Sequence, residues 1–300
     1  METSNFTGYD PPTFILMGIP GLGDAHIWIS IPFAAFYMTA LLANFTVLSI
    51  VAKEQRLHKP MYLLIGMLAV SDMIIPTTII PRALGIFWFN LKSITLAACL
   101  AQAFFLPVSA TMHSGVLMTM AVLVVVGFIR AVLFVLPMPF LVSRMPFCDN
   151  RIIPHTYCET MAVSMLSCGD ITGCRMYGLV LACVSTGFDM TVIAISYVLI
   201  TRAVLRMSSK TAHQKALSTC TAHILVILMA YPPGLFSILA YRFGEGITPS
   251  VHIILSNLIY LLPSMLNPIV YGIKTKELRE EVVAFICRRF LIGITDYKTT

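Results

Sequence analysis

The sequence predicts an all-α membrane protein, on three observations. First, 58% of its 300 residues are hydrophobic and only 11% are charged, where a soluble domain carries about 25% charge. Second, nearly the whole length consists of uncharged runs near the ~20 residues a helix needs to cross a bilayer. Short connectors join them, so one domain with no soluble appendage is expected. Third, Lys and Arg gather in three segments, the pattern of cytoplasmic loops. The net charge of +6 is therefore read as loop bias and not as a nucleic-acid surface.

The spans follow in order. Ala25 to Ala52 holds no Asp, Glu, Lys or Arg, and Pro60 to Pro81 is broken only by Asp72. Ser93 to Ile129 is uncharged, too long for one ordinary crossing, and has no polar loop where a second crossing would turn round. Ile171 to Thr201 carries Arg175 and Asp189; Ala216 to Tyr241 and Gly246 to Ile273 are uncharged. In "KTKELREEVVAFICRRF", Leu278, Val282, Val283, Phe285 and Ile286 sit among charges. That reads as a short amphipathic helix on the membrane surface.

Lys53, Arg56 and Lys59 lie after the first span; Arg202, Arg206, Lys210 and Lys215 lie before Ala216; six more follow from Lys274. These are 13 of the 20 basic residues, so the three segments are expected to be cytoplasmic and the N-terminus outside. Asn5-Phe6-Thr7 is then a glycosylation sequon at Asn5, while Asn44-Phe45-Thr46 falls inside a span. The first basic residue is Lys53, so no cleavable signal peptide is expected and the first apolar helix acts as the insertion signal. Pro76, Pro107, Pro232, Pro233, Pro263 and Pro268 punctuate the spans. Kinked helices round an internal cavity suit a receptor or transporter better than an anchor. Of eight cysteines, Cys99, Cys148, Cys158 and Cys168 lie at or beside connectors, where an oxidising compartment would permit disulfides.

Several motifs then resemble one family. "LHKPMYLLIGMLAVSD" (57–72), "SYVLI" (196–200), "KALSTCTAH" (215–223) and "PSMLNPIVYGIKTKELRE" (263–280) are similar to the olfactory-receptor branch of rhodopsin-like G-protein-coupled receptors. "GIPGLGDAHIWISIPF" (18–33), "LPMPFLVSRMPFC" (136–148) and "YRFG" (241–244) resemble its class I, fish-like members. The resemblance runs from about residue 14 to 290. It implies a seven-transmembrane helix bundle with a ligand pocket in its outer half. Its partners would be a small-molecule odorant, membrane lipid and a stimulatory olfactory-type heterotrimeric G protein. Residues 1–26 would be extracellular, 27–273 the bundle and 274–300 the cytoplasmic tail, in one receptor domain at the plasma membrane. No cofactor is implied.

One stretch departs from the family. Its helix three ends in an Asp-Arg-Tyr element followed by a basic second cytoplasmic loop. Here Met120-Ala121 runs directly into "VLVVVGFIRAVLF", so helices three and four are joined by a very short or absent loop. The resemblance pairs Cys99 with Cys158 and Cys148 with Cys168, which places both ends of 99–148 outside. Leu96 to Val142 is 47 residues, and two crossings need about 40. A turn near Thr119–Val122 leaves Arg130 about 12 Å along helix four, where a charge is costly. A turn near Gly127 uses a residue that tolerates turn dihedrals and puts Arg130 at the cytoplasmic face. In a third possibility, residues 96–142 do not pack natively.

The resemblance also supplies site residues. Arg242 of "YRFG" would hold a carboxylate through its two-pronged guanidinium; the alternative is an interfacial Arg or a pair with Glu245. Leu106, Ala110, Thr111, Gly234 and Ile238 would give an apolar lining. Asp72, with Asn44 and Asn267, resembles the polar core of the family, and Tyr197 and Tyr271 its switch tyrosines. His113 replaces a family Glu, so sodium binding is not expected, and Asp72 is read equally as a group hydrogen-bonded to Asn267 or His113. His155-x-x-Cys158-Glu159 has the form of a metal motif, but a disulfide at Cys158 would spoil it, and no metal is expected. The first functional reading is an odorant receptor. The second is a non-coupling receptor, retained in the endoplasmic reticulum or binding without signalling. A transporter or channel finds no inverted repeat or charged pathway, and no enzyme constellation is evident.

Overall fold

The computed structural model describes residues 13–21, 25–58, 60–118, 129–147, 151–205, 248–297 and eight positions between 214 and 232. Among these the chain is mainly helical. Helix α1 spans His26–Lys53, α2 Pro60–Phe89, α3 Leu96–Met118 and α4 Ile129–Ser143. Helix α5 spans Thr172–Leu205, α6 Pro249–Lys274 and α7 Lys276–Tyr297. Four of the described helices, α1, α2, α5 and α6, are long and apolar enough to cross a membrane; α3 and α4 contribute shorter apolar stretches, Leu96–Ala110 and Ile129–Ser143. Trp28, Leu42 and Phe45 of α1 and Val180, Ile195 and Leu199 of α5 point outwards and are exposed. Large apolar side chains facing out along whole helices match a hydrocarbon surround.

Proline does not end these helices. Pro76 and Pro81 lie inside α2, which runs on to Phe89, eight residues past the Pro81 limit of the sequence-derived span. Each proline leaves one carbonyl without its helical donor, and neighbouring groups replace it. Pro268 lies inside α6 and frees the Ser264 carbonyl one turn earlier; the Asn44 amide of α1 donates to that oxygen at 2.8 Å. Gln102 of α3 donates to the Thr78 carbonyl at 2.6 Å, in the turn that Pro81 loosens. Near Pro137 and Pro139, the Tyr177 hydroxyl of α5 donates to the Phe134 carbonyl at 2.7 Å.

At one end of the bundle three short strands form a sheet in the order β2-β1-β3, which an all-α reading did not foresee. These are β1 (Thr13–Leu16), β2 (Ser93–Thr95) and β3 (Ile152–Ile153). β1 alternates exposed and buried residues, the period of a half-covered strand. Its Phe14 and Leu16 are buried against α1, α2 and the 151–163 segment. Gly18 follows with φ +78°, a conformation that favours glycine, and a Cβ there would press on the Ile86 side chain at 3.2 Å. The Ser250 hydroxyl of α6 donates to the Pro20 carbonyl at 2.5 Å, tying this segment across the bundle end.

At the other end, α7 follows α6 after Thr275. Leu278 is fully buried with Leu57, Tyr62 and Tyr271, and Val282 and Phe285 pack beside it. Val283, by contrast, is exposed. The amphipathic face at positions i, i+4 and i+7 therefore docks on the bundle's own end. Both turn positions weighed for the α3–α4 connection, Thr119–Val122 and Gly127, lie outside the described residues.

Cys99 at the start of α3 is joined to Cys158 by a disulfide, with a Cα–Cα distance of 5.3 Å. The Gln102 side chain accepts from the Cys158 N–H at 2.8 Å, so the cross-link and a buried hydrogen bond hold the 151–163 segment to α3. Cys168 is also disulfide-bonded; Cys148 lies outside the described residues. Cys99 and Cys158 are 59 residues apart, so replacing Cys158 with Ser should cost roughly 2–4 kcal/mol of stability. Thermal unfolding of the purified chain in detergent measures this. Adding reductant should lower the wild-type transition towards that of Cys158→Ser.

Candidate functional site

A cavity of about 540 Å³ opens between α3, α4, α5 and the 159–165 segment. Its walls include Ala103, Pro107 and Ala110 of α3, Phe134 and Val135 of α4, and Leu181 and Val184 of α5. The small residues on α3 leave the space; Phe134 and the α5 aliphatics make it apolar. Its volume lies within the ~300–1,000 Å³ of ordinary small-molecule sites.

Four charged residues line it: Arg130, Arg175, Glu159 and Asp189. Arg130 of α4 donates from Nη2 to Asp189 Oδ1 of α5 at 2.9 Å. The side chains are 22% and 5% exposed, so the pair is largely withdrawn from solvent. The guanidinium also stands 4.6 Å from the centre of the Phe188 ring, a cation–π contact. Asp189 lies halfway along the 34-residue α5. Arg130 is therefore set against the middle of that helix. The reason is electrostatic: a charge inside a span is held by an opposite charge when one is available.

Of the lining expected on α3, Ala110 lines the cavity, whereas Leu106 is buried in the main core cluster. The Thr111 side chain, Gly234, Ile238 and Arg242 lie outside the described residues, and so does Asn5. Sequence reading missed Arg130, Asp189, Glu159 and Arg175 as a group. The signal was present, since opposite charges in separate spans are rare and usually paired.

A second polar centre lies among α1, α2 and α6. Asn267 donates to Asp72 Oδ2 at 2.9 Å, and Asn44 donates to the Ala40 and Ser264 carbonyls. All three residues are buried. Asp72 thus engages Asn267, one of the two partners named for it; the His113 side chain lies outside the described residues. Tyr271 is buried in the same region and Tyr197 of α5 is half-buried.

Near the sheet, His155 is fully buried. Its Nδ1 accepts from the Thr156 N–H at 3.0 Å, and its ring lies 4.2 Å from that of Tyr157 and 6.1 Å from that of His252. Burial first, and the neighbouring His252 second, push its pKa down from 6.5 to about 3. With Cys158 committed to a disulfide, the His155-x-x-Cys158-Glu159 spacing does not present its sulfur to a metal.

This arrangement defines a multi-pass helical membrane protein with a small-molecule cavity inside the bundle. The olfactory receptor family profile matches residues 33–128 and 123–289. The chain is 44% identical to olfactory receptor 52N4 of Homo sapiens, over 100% of this chain and 99% of that one. It is 45% identical to human olfactory receptor 52N5, over 92% of this chain and 93% of that one. To human olfactory receptor 52N1 it is 41% identical, over 96% and 98% of the two chains. The chain belongs to the olfactory receptor family, of class I type. It is an odorant-sensing G-protein-coupled receptor by family and not an enzyme.

Two outcomes follow from this geometry. Asp189→Ala strands a largely buried guanidinium and should destabilise the protein by roughly 3–5 kcal/mol, whereas the double change Arg130→Met with Asp189→Leu should be nearly neutral; detergent unfolding of both variants compares them. For His155, the unfolded chain takes up a proton near pH 6.5 while the folded one resists until about 3. Its contribution to stability is complete above 6.5 and is lost as pH falls towards 3. His155→Gln should flatten that part of the stability profile.

Proposed function

We propose that the chain is an odorant receptor of the plasma membrane, one seven-helix domain over residues 1–300 with its N-terminus outside. It binds a small volatile in the bundle and signals through a stimulatory olfactory-type G protein. The observation that carries this reading is the apolar cavity of about 540 Å³ with convergent polar groups, in a chain that matches its family relatives along their length. The Lys and Arg bias of the three connectors supports the orientation. A ligand must favour one receptor state over the other to signal.

For the ligand, the family resemblance of "YRFG" supports a carboxylic acid gripped by Arg242 through parallel charge-assisted hydrogen bonds. Leu106, Thr111, Gly234 and Ile238 would complete the apolar surround, with Asn5 glycosylated outside. The buried Asp72–Asn267 contact supports a structural role for the polar core, shared with Asn44 and His113. Tyr197 and Tyr271 lack the Arg of Asp-Arg-Tyr toward which family tyrosines move.

A second reading is a receptor that binds without coupling or is retained in the endoplasmic reticulum. The missing Asp-Arg-Tyr supports it. So do the family profile, which matches in two pieces that meet at 123–128, and an alignment with olfactory receptor 52N4 that runs over 323 positions for a chain of 300. An internal deletion of the second cytoplasmic loop accounts for both.

An N-terminal epitope tag stained on intact cells, followed by a cyclic-AMP assay, separates the readings. Surface signal with a cyclic-AMP response supports a working receptor; surface signal without one supports a silent binder. Stain only after permeabilisation, with a loop-restored chain at the surface, supports retention. In the loop-restored chain, Arg242→Ala should lower sensitivity to carboxylic acids by about tenfold or more; an unchanged response removes Arg242 as the anchor.

A further inference from the structure

The cavity between α3, α4 and α5 carries its own rule of ligand charge. Arg130 presents the one guanidinium at its α5 midpoint, and Asp189 already neutralises it at 2.9 Å. Asp189 is only 5% exposed and Arg130 22%, so a ligand meets the arginine edge and scarcely meets the carboxylate. Among the described residues the Nη2 bond to Asp189 is the one hydrogen bond Arg130 donates. A guanidinium has several further N–H groups in its plane, and none of the Arg130 nitrogens is both sealed and unpaired. The Phe188 ring covers one face of the group, and the remaining N–H donors lie along its edge.

A ligand carboxylate at that edge would bring a second negative charge beside Asp189. The described lining holds two guanidinium groups, Arg130 and Arg175, and two carboxylates, Glu159 and Asp189. It therefore has no surplus positive charge to offset the desolvation of an anion. Displacing Asp189 would strand a buried carboxylate on α5, which is no better. A neutral oxygen needs no counter-charge, and on a cationic donor it makes a charge-assisted hydrogen bond. The apolar walls from Ala103 to Val184 accept a hydrocarbon chain.

We propose that this cavity selects uncharged hydrogen-bond acceptors, such as ketones and esters on an apolar chain, seated with the oxygen on the free edge of Arg130, and that Asp189 excludes carboxylates from it. The inference rests on the odorant-receptor reading but concerns a different anchor from Arg242.

The test uses the full chain carrying Arg242→Ala, which removes the other carboxylate anchor, purified in detergent with two probes that differ in charge, methyl octanoate and octanoate, and ligand-dependent thermal stabilisation as the readout. Methyl octanoate should raise the transition of this parent chain and octanoate should not. Asp189→Asn should give the site a surplus positive charge and strengthen octanoate binding by about tenfold. Arg130→Gln should abolish the ester shift. Where Arg130→Gln alone yields no unfolding transition, Arg130→Gln with Asp189→Asn removes both charges together and should equally lack the ester shift. Octanoate stabilising the Arg242→Ala parent as strongly as the ester would overturn the proposal. So would an ester shift that survives loss of Arg130, or no ester shift in the parent. A cellular response to octanoate that Arg242→Ala removes would meanwhile leave the receptor reading standing. An ester shift without any cyclic-AMP response would leave this inference standing and remove coupling.

Discussion

Inside hydrocarbon a polar group has no water to fall back on, so each one must find its partner within the protein. Much of this fold can be derived from that constraint. Pro268 removes the donor for the Ser264 carbonyl, and the Asn44 side chain reaches from α1 to supply it. The replacement fixes where α1 meets α6. Asn267, one residue before the same proline, donates to Asp72 on α2 and fixes the third helix of the group. Arg130 on α4 has Asp189 on α5, and that pair sets the height at which the two helices meet. Helix contacts in a membrane lack the hydrophobic drive available in water, so such polar pairs specify register to an unusual degree.

The same constraint divides the molecule. On one side, α1, α2, α6 and α7 enclose residues such as Ile50, Leu57, Tyr62 and Leu278 in a continuous apolar core. On the other, α3 and α4 share a small cluster around Val108, Ala131 and Val135, and α5 turns many of its large side chains outwards. The cavity lies on this second side. Close-packed interiors resist the insertion of a ligand, and the space here exists because α3 offers Ala103, Pro107 and Ala110 toward α5. The sheet and the Cys99–Cys158 cross-link hold the 151–163 segment over that end.

How much of this was legible in the sequence differs by element. Uncharged runs gave α1, α2, α5 and α6 to within a turn or two, because hydropathy over ~20 residues is a collective signal. The far end of α2 was cut short at Pro81, since proline argues against helix in water but much less so in a membrane. The strand at Thr13–Leu16 escaped notice because four residues carry too little periodicity, and because its partners lie about 80 and 140 positions away in sequence. Arg130 was weighed as an isolated charge when Asp189 had already been noted in another span. Pairing is a property of two helices brought together, and hydropathy along one segment does not contain it. Arg242, the anchor the resemblance favoured, lies outside the described residues, so the cavity reached by geometry and the anchor reached by motif are independent routes to the ligand.

That independence bears on the missing Asp-Arg-Tyr element. The cavity charges sit on α4, α5 and the 159–165 segment, and among the described side chains α3 contributes Ala103, Pro107 and Ala110. Met120-Ala121, after which the family motif would stand, is ten residues beyond Ala110 in sequence. On the proposed reading, binding is decided by one set of contacts and coupling by another. A chain can keep the first while losing the second, because linkage between them requires a two-state element that both sites bias. In the reading proposed above, Tyr197 and Tyr271 are the candidates for that element by family resemblance, and the Arg toward which they would move is absent from the sequence.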